Sequence, residues 1–184
     1  MDDKYTPLTI ESLPQRLGVV SAITDQIGVE IRNWEVKEVG DGNLNLVFIV
    51  KGRKGIIVIK QALPYVRVVG EDWPLTLDRA YFEYNALLRQ EQRDEGIAPA
   101  VFYFDRNQAI IAMECLSDHQ ILRGMLIEGQ LVQGLADTIG KHCARLAFKG
   151  SDLYMETKNK KEDTEMLHNR KIKSRNPSLQ LHDP

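Results

Sequence analysis

Hydrophobic and polar residues are patterned most clearly between Trp34 and Gln61. Val47, Ile49, Ile57 and Ile59 alternate with their neighbours or extend into β-branched runs, the pattern of half-buried or buried strands. Between two of these runs, Asp41-Gly42 marks a hairpin, since both residues tolerate the positive φ of a tight turn. The stretch reads as strand, glycine turn, strand, short turn, strand, the first strand starting at Trp34. Upstream, residues 8–17 predict a short helix capped by Thr9 and stopped at Gly18, and residues 19–27 a second helical piece before Gly28. These two, within residues 1–33, are expected to form an extension outside the core.

Residues 61–76 show no clear period. Two prolines and Gly70 predict a loop, although it carries Tyr65, Val66, Val68, Val69 and Trp73. A loop that apolar either folds onto the core or covers a ligand. Thr76 then caps a helix reaching about Gln92, with Leu77, Tyr81, Tyr84 and Leu88 in a stripe that Ala80 and Leu87 widen. Glu83 lies at the edge of that stripe, as a solvated carboxylate or as one turned inward to meet a cation. Two strands, near 98–104 and 109–113, follow across the turn Asp105-Arg-Asn-Gln. Beyond them come a short helix or irregular piece at 121–127 and a helix over 131–149. Leu131, Leu135, Ile139, Cys143, Leu146 and Ala147 line one of its faces. From 158 to 184 mixed charges and few apolar residues predict disorder, because too little surface can be buried to offset the ordering entropy. The run Arg170-Lys171-x-Lys173-x-Arg175 lacks the interleaved aromatics of a nucleic-acid tail.

Composition narrows the classes. A chain of 184 residues suffices for one domain or two small lobes, and a net charge of −2 supplies no global field for nucleic acid or acidic membranes. No apolar run approaches a membrane span and the first residues are not a signal peptide, so a cytoplasmic protein is expected. Cys115 and Cys143 lie far apart, fitting a reducing compartment, and His119, His142, His168 and His182 have no metal-ligand spacing.

Lys60 carries the chemistry. An ammonium at the edge of a buried strand needs an anion to face. A glycine turn with approachable N–H groups, plus a lysine on an adjacent strand, is how kinase-like enzymes hold nucleotide phosphates; the plainer alternative is a surface hairpin with a snorkelling lysine. Five antiparallel strands with one long helix between the third and fourth make an α+β fold, the small nucleotide-binding lobe of kinase-like proteins.

The runs Glu38-Val-Gly-Asp-Gly-Asn-Leu-Asn45, Val58-Ile-Lys-Gln-Ala62, Gly70-Glu-x-Trp-Pro-Leu-Thr76, Asp78-Arg79 and Met113-Glu-x-Leu-Ser117 resemble the S-methyl-5-thioribose kinase family, related to aminoglycoside and choline kinases. The resemblance covers roughly residues 5–161. It implies a kinase N-lobe over 34–113, a hinge at 114–117 and the start of a C-lobe over 118–157. The activity it implies is ATP- and Mg²⁺-dependent phosphorylation of the 1-hydroxyl of methylthioribose in methionine salvage. By the same resemblance Gly40, Asp41, Gly42, Asn43 and Asn45 would cover the ATP phosphates, Lys60 would contact them, and Glu83 would hold Lys60. Trp73 would lie over the nucleotide, and the backbones of Glu114 and Leu116 would meet adenine, with Cys115 where an aspartate is expected. The family's catalytic His-Gly-Asp segment, the later Mg²⁺-binding Asp-x-Glu and the paired substrate arginines are not matched. No catalytic or metal residue is therefore assigned, and a truncated or frameshifted chain leaving the family pattern near Asp163 is expected. The alternative is a non-catalytic nucleotide-binding fragment. The stripe on the 131–149 helix would be left bare, which predicts self-association or a homodimer.

Overall fold

The computed structural model describes residues 4–40 and 42–168. Strands β1 (Glu35–Glu38), β2 (Asn45–Lys51), β3 (Ile56–Ala62), β6 (Val101–Asp105) and β7 (Ile110–Glu114) form one antiparallel sheet in the order β1-β2-β3-β7-β6. The period-2 pattern decides which side chains share a face. Leu46 pairs with Gln61, Phe48 with Ile59 and Val50 with Ile57, so all six point to one side, where they are buried. Helices α1 (Ser12–Leu17) and α2 (Ser21–Ile27) cover that side with Leu13, Leu17, Ile23 and Ile27, joined by Leu8 and Trp34.

This corrects the expectation of an N-terminal extension: residues 8–34 supply about half of the main core. A six-residue helix cannot persist alone and borrows its stability from packing. Its entry is local, with Ser12 N–H donating to Thr9 Oγ1 (3.1 Å) and Thr9 N–H to Ser12 Oγ (2.9 Å). Its strap is not. The Gln61 side chain, on a residue with no exposed surface, accepts from Leu8 N–H (2.7 Å) and donates to the carbonyls of Thr6 (3.0 Å) and Gln108 (2.9 Å). A buried amide with its donors and acceptor all satisfied ties the N-terminal segment across β3 and the β6–β7 turn.

The opposite side of the sheet receives α3 (Asp78–Arg93), through a second cluster of Ala62, Ala80, Ala109 and Ile111 with Leu77, Tyr84 and Phe104 against it. Thr76 Oγ1 accepts from Asp78 N–H (3.2 Å), the expected cap. Between β3 and α3 the chain forms a hairpin, β4 (Tyr65–Val66) and β5 (Gly70–Pro74), where sequence patterning predicts a loop. Downstream lie α4 (Leu122–Ile127), α5 (Leu135–Lys149) and α6 (Thr157–Leu167).

Helix α6 replaces the disorder expected from residue 158. It is held from α3: Arg89 Nε meets Asp163 Oδ1 at 2.7 Å and Arg93 meets Asp163 Oδ2 at 3.3 Å. A single acid paired 70 or more residues away leaves no trace in local composition. Residues 169–184, with the basic run 170–175, lie outside the described residues. Helix α5 buries none of its residues; Leu131 precedes it at 95% exposure and Ile139 is 46% exposed. It is fastened to the end of α3 by Asp94, whose carboxylate takes His142 Nδ1 at 2.9 Å and Arg145 at 2.7 Å.

Candidate functional site

The register of β3 sets the site. Lys60 lies opposite Val47 on β2 and Ile111 on β7, on the face turned toward α3. A one-residue slip of β3 would bury Lys60 beside Phe48 and turn Ile59 to the α3 face, so the apolar pattern holds the lysine in place. Across from it, Glu83 leaves the second turn of α3, and the two charges meet at 2.5 Å (Nζ to Oε1), with their side chains 25% and 35% exposed. The pair is half-buried: sheltered enough to be ordered, open enough for an anion to reach the ammonium. Glu83 thus takes the inward of its two expected orientations.

On the same face stand Asn45, Val47, Ile49, Val58 and Met113, the last four half-buried. They form an apolar strip running from Lys60 to the end of β7, with the surface character that accepts a flat ring. Sequence reasoning missed Val47, Val58 and Met113 as site residues, since by pattern they are simply strand residues.

The glycine turn joins β1 to β2. Gly42 has a steric reason to be glycine: a Cβ there would sit 2.6 Å from the Asn45 carbonyl oxygen. Gly40 has open space around it, and Asp41 lies outside the described residues. Asn43 is exposed, and its carbonyl accepts from Arg67 N–H on the β4–β5 hairpin (2.7 Å), while Arg67 also pairs with Glu38 at 2.9 Å. The hairpin therefore abuts the turn. Its apolar side chains divide: Tyr65 packs against the main core, while Val68 is 74% exposed and Trp73 59%. Packing on the core thus holds for the start of this segment and not for Val68 and Trp73 further along it.

A second missed residue is Arg79, on the same face of α3 as Glu83 one turn earlier. Its guanidinium donates to the carbonyls of Leu44 (2.9 Å), Leu63 (2.9 Å) and Thr76 (3.2 Å). Burial pulls its pKa below the usual arginine range, opposed by the nearby charge of Glu83.

At the far end of the strip, Glu114 closes β7. Its N–H donates to Ala100 O (2.8 Å) and its carboxylate accepts from Ala100 N–H (3.1 Å). That N–H is committed to the sheet, which leaves only the carbonyl side of Glu114 for a ligand. Leu116 follows at 43% exposure; its carbonyl takes His119 N–H (3.1 Å), and its own N–H finds no acceptor among the described residues. Cys115 is a free thiol.

A cavity of about 740 Å³ lies elsewhere, between α3 and α6, lined by Tyr81, Arg89, Lys149, Tyr154 and Asp163 among others. No candidate residue lines it. Contrary to the expectation that Asp-x-Glu is absent, the chain spells it once, at Asp163-Thr164-Glu165. Asp163 is spent on Arg89 and Arg93 with its side chain 15% exposed, so its carboxylate already has its cations. Among the described residues no group of three or more His, Cys, Asp or Glu side chains stands together, and no helix is long and apolar enough to cross a membrane.

No protein-family model matches the chain. A methylthioribose kinase of Escherichia coli is 45% identical over 159 residues, covering 85% of this chain and 38% of the relative. One of Bacillus pumilus is 40% identical over 177 residues, 95% of this chain and 44% of the relative. Methylthioribose kinase 1 of Oryza sativa is 40% identical over 159 residues, 86% and 37%. The chain thus spans about two-fifths of the length of these relatives, and over that part it is similar to methylthioribose kinases. The match to the Bacillus pumilus protein, at 95% of the chain, necessarily runs past Asp163, where the likeness was expected to end.

Proposed function

We propose that this chain holds ATP, and that it does so as the nucleotide-binding part of an enzyme phosphorylating the 1-hydroxyl of methylthioribose in methionine salvage. One observation carries the reading: the Lys60–Glu83 pair at 2.5 Å, half-open to solvent, on an apolar strand face beside a glycine turn. A buried structural ion pair has no need of such a strip or turn; a phosphate-holding lysine needs both.

In this reading the chain's own residues divide the work. Glu83 holds the ammonium of Lys60 where the α- and β-phosphates would come, so that its charge is placed before the polyanion arrives. The backbone around Gly40, Asp41, Gly42, Asn43 and Asn45 offers donors to the phosphates. Val47, Val58 and Met113 receive the adenine ring, the carbonyl of Glu114 and the N–H of Leu116 read its edge, and Trp73 on its hairpin covers the site. Bound ATP supplies the phosphoryl group, and Mg²⁺ would share its charge. The cation of Lys60 and the apolar floor beside it support ATP as the ligand, and among the described residues no group of three or more His, Cys, Asp or Glu stands together to hold Mg²⁺.

The missing His-Gly-Asp favours a second reading, in which these 184 residues bind nucleotide without turning over methylthioribose. One experiment separates the readings. Purified protein is titrated with ATP by calorimetry and assayed for ADP formation with Mg²⁺ and methylthioribose, beside a Lys60→Ala variant. ATP binding and substrate-dependent ADP formation, both lost in the variant, support the enzyme. ATP binding without turnover supports the nucleotide-binding reading. Absence of ATP binding refutes both.

A further inference from the structure

Glu83 and Arg79 leave the same face of α3 four residues apart, and between them they reach the lysine and the exit of the glycine turn. Glu83 takes the lysine of β3. Arg79 reaches the carbonyl of Leu44, where the glycine turn enters β2, the carbonyl of Leu63, just beyond the end of β3, and the carbonyl of Thr76, at the start of its own helix. Leu63 N–H also donates to Leu44 O (3.1 Å), so that one carbonyl receives both the β3 end and the guanidinium.

We propose that Arg79 is a positioning residue that sets the distance between the glycine turn and the Lys60–Glu83 pair, and thereby governs affinity for the phosphates of a nucleotide. This rests on the nucleotide reading above. The physical reason is that the turn is tied at its base by Val39 N–H to Val47 O (2.8 Å) and at its exit by Leu63 N–H and Arg79 on Leu44 O, with little between them. Gly40 has no neighbour within 4 Å of a would-be Cβ, and Asn43 is held to the exposed hairpin through Arg67 N–H. A planar fork with several donors can satisfy separate carbonyls at once, which an ammonium on a flexible stem cannot do with the same geometry. The guanidinium is also half-buried and gives up hydration to sit there, a cost met by three carbonyl acceptors and by the facing carboxylate of Glu83. Because α3 carries both Arg79 and Glu83, any tilt of the helix moves the turn and the lysine together.

The test compares wild type, Arg79→Lys and Arg79→Ala as the full 184-residue chain. Calorimetric affinities are measured for ATP and for adenosine, and amide exchange is followed over residues 42–47 without nucleotide. The expected result is a loss of roughly tenfold in ATP affinity for both variants, the scale of losing hydrogen bonds to a charged group, with adenosine affinity changed by less than about twofold. Amides of 42–47 should exchange faster in both variants while the midpoint of unfolding of Arg79→Lys stays near wild type. Retained ATP affinity in Arg79→Lys overturns the proposal, because charge alone would then suffice. Equal losses for ATP and adenosine also overturn it, since that pattern marks a merely structural residue. If wild type binds neither ligand, the nucleotide reading falls by itself, and unchanged exchange over 42–47 in Arg79→Lys would then remove the positioning role as well.

Discussion

Replacing Lys60 by methionine separates a structural lysine from a ligand-binding one. The side chain keeps its length and apolar stem and loses only the ammonium. Removing one partner of a fully buried ion pair costs about 3–5 kcal/mol, because the other charge is left buried and uncompensated. Here the side chains are 25% and 35% exposed, so water reaches the Glu83 carboxylate that remains and removes much of that cost. Glu83 also keeps a cation in reach, Arg79 one turn earlier, whose charge it already faces. The folded protein should therefore stay within about 1 kcal/mol of wild type. Affinity for ATP should behave differently. Hydrogen bonds to charged groups contribute about 1.5–3 kcal/mol, which corresponds to a loss of roughly tenfold to a hundredfold. Urea unfolding followed by circular dichroism gives the first quantity and calorimetric titration with ATP the second. A variant destabilised by more than about 3 kcal/mol, the range of a core truncation, would show that Lys60 is part of the packing. A variant that binds ATP as well as wild type would show that the lysine snorkels and holds nothing.

Three further outcomes follow from the packing. Leu13→Ala, at a site with no exposure, should cost about 2–5 kcal/mol and lower the midpoint of the whole thermal transition; a separate small transition with the main one unmoved would restore the extension reading. Asp94 is held below the ordinary carboxylate range, first by its hydrogen bond to His142 and then by Arg145, with burial opposing. Its contribution is therefore present above the unfolded value near about pH 4 and is lost as pH falls through the lower folded value. The urea midpoint of wild type should fall more steeply below about pH 4 than that of Asp94→Asn, and parallel profiles would refute the pairing. The bare face of α5 should cause concentration-dependent association that Ile139→Glu reduces, read by light scattering; a wild type that remains monomeric at high concentration would count against it.

The parts of this protein legible in its sequence are those decided by neighbours a few residues away. Alternation over β2 and β3 gave their faces, Asp41-Gly42 gave the turn between strands, and Thr9 and Thr76 gave helix starts through hydrogen bonds that span two or three positions. Lys60 stood out because a charge in an apolar run is itself a local anomaly, and Glu83 because helical spacing places it at the edge of a stripe. What covers an element is not local. Helices α1 and α2 look the same on paper whether they close the core or hang from it, and only the sheet face bearing Phe48 and Ile59 decides that they close it. Arg79 stood in a run resembling the family but gave no sign of a role, since its partners are backbone carbonyls that every residue possesses and only tertiary structure brings three of them to one guanidinium. Helix α6 misled for the same reason. Its charged composition reads as solvated until Asp163 meets Arg89 and Arg93, when the two arginines of a distant helix supply the order that its own few apolar residues cannot. Short-range hydrogen bonding and periodicity thus determined the elements, and long-range burial and ion pairing decided their arrangement.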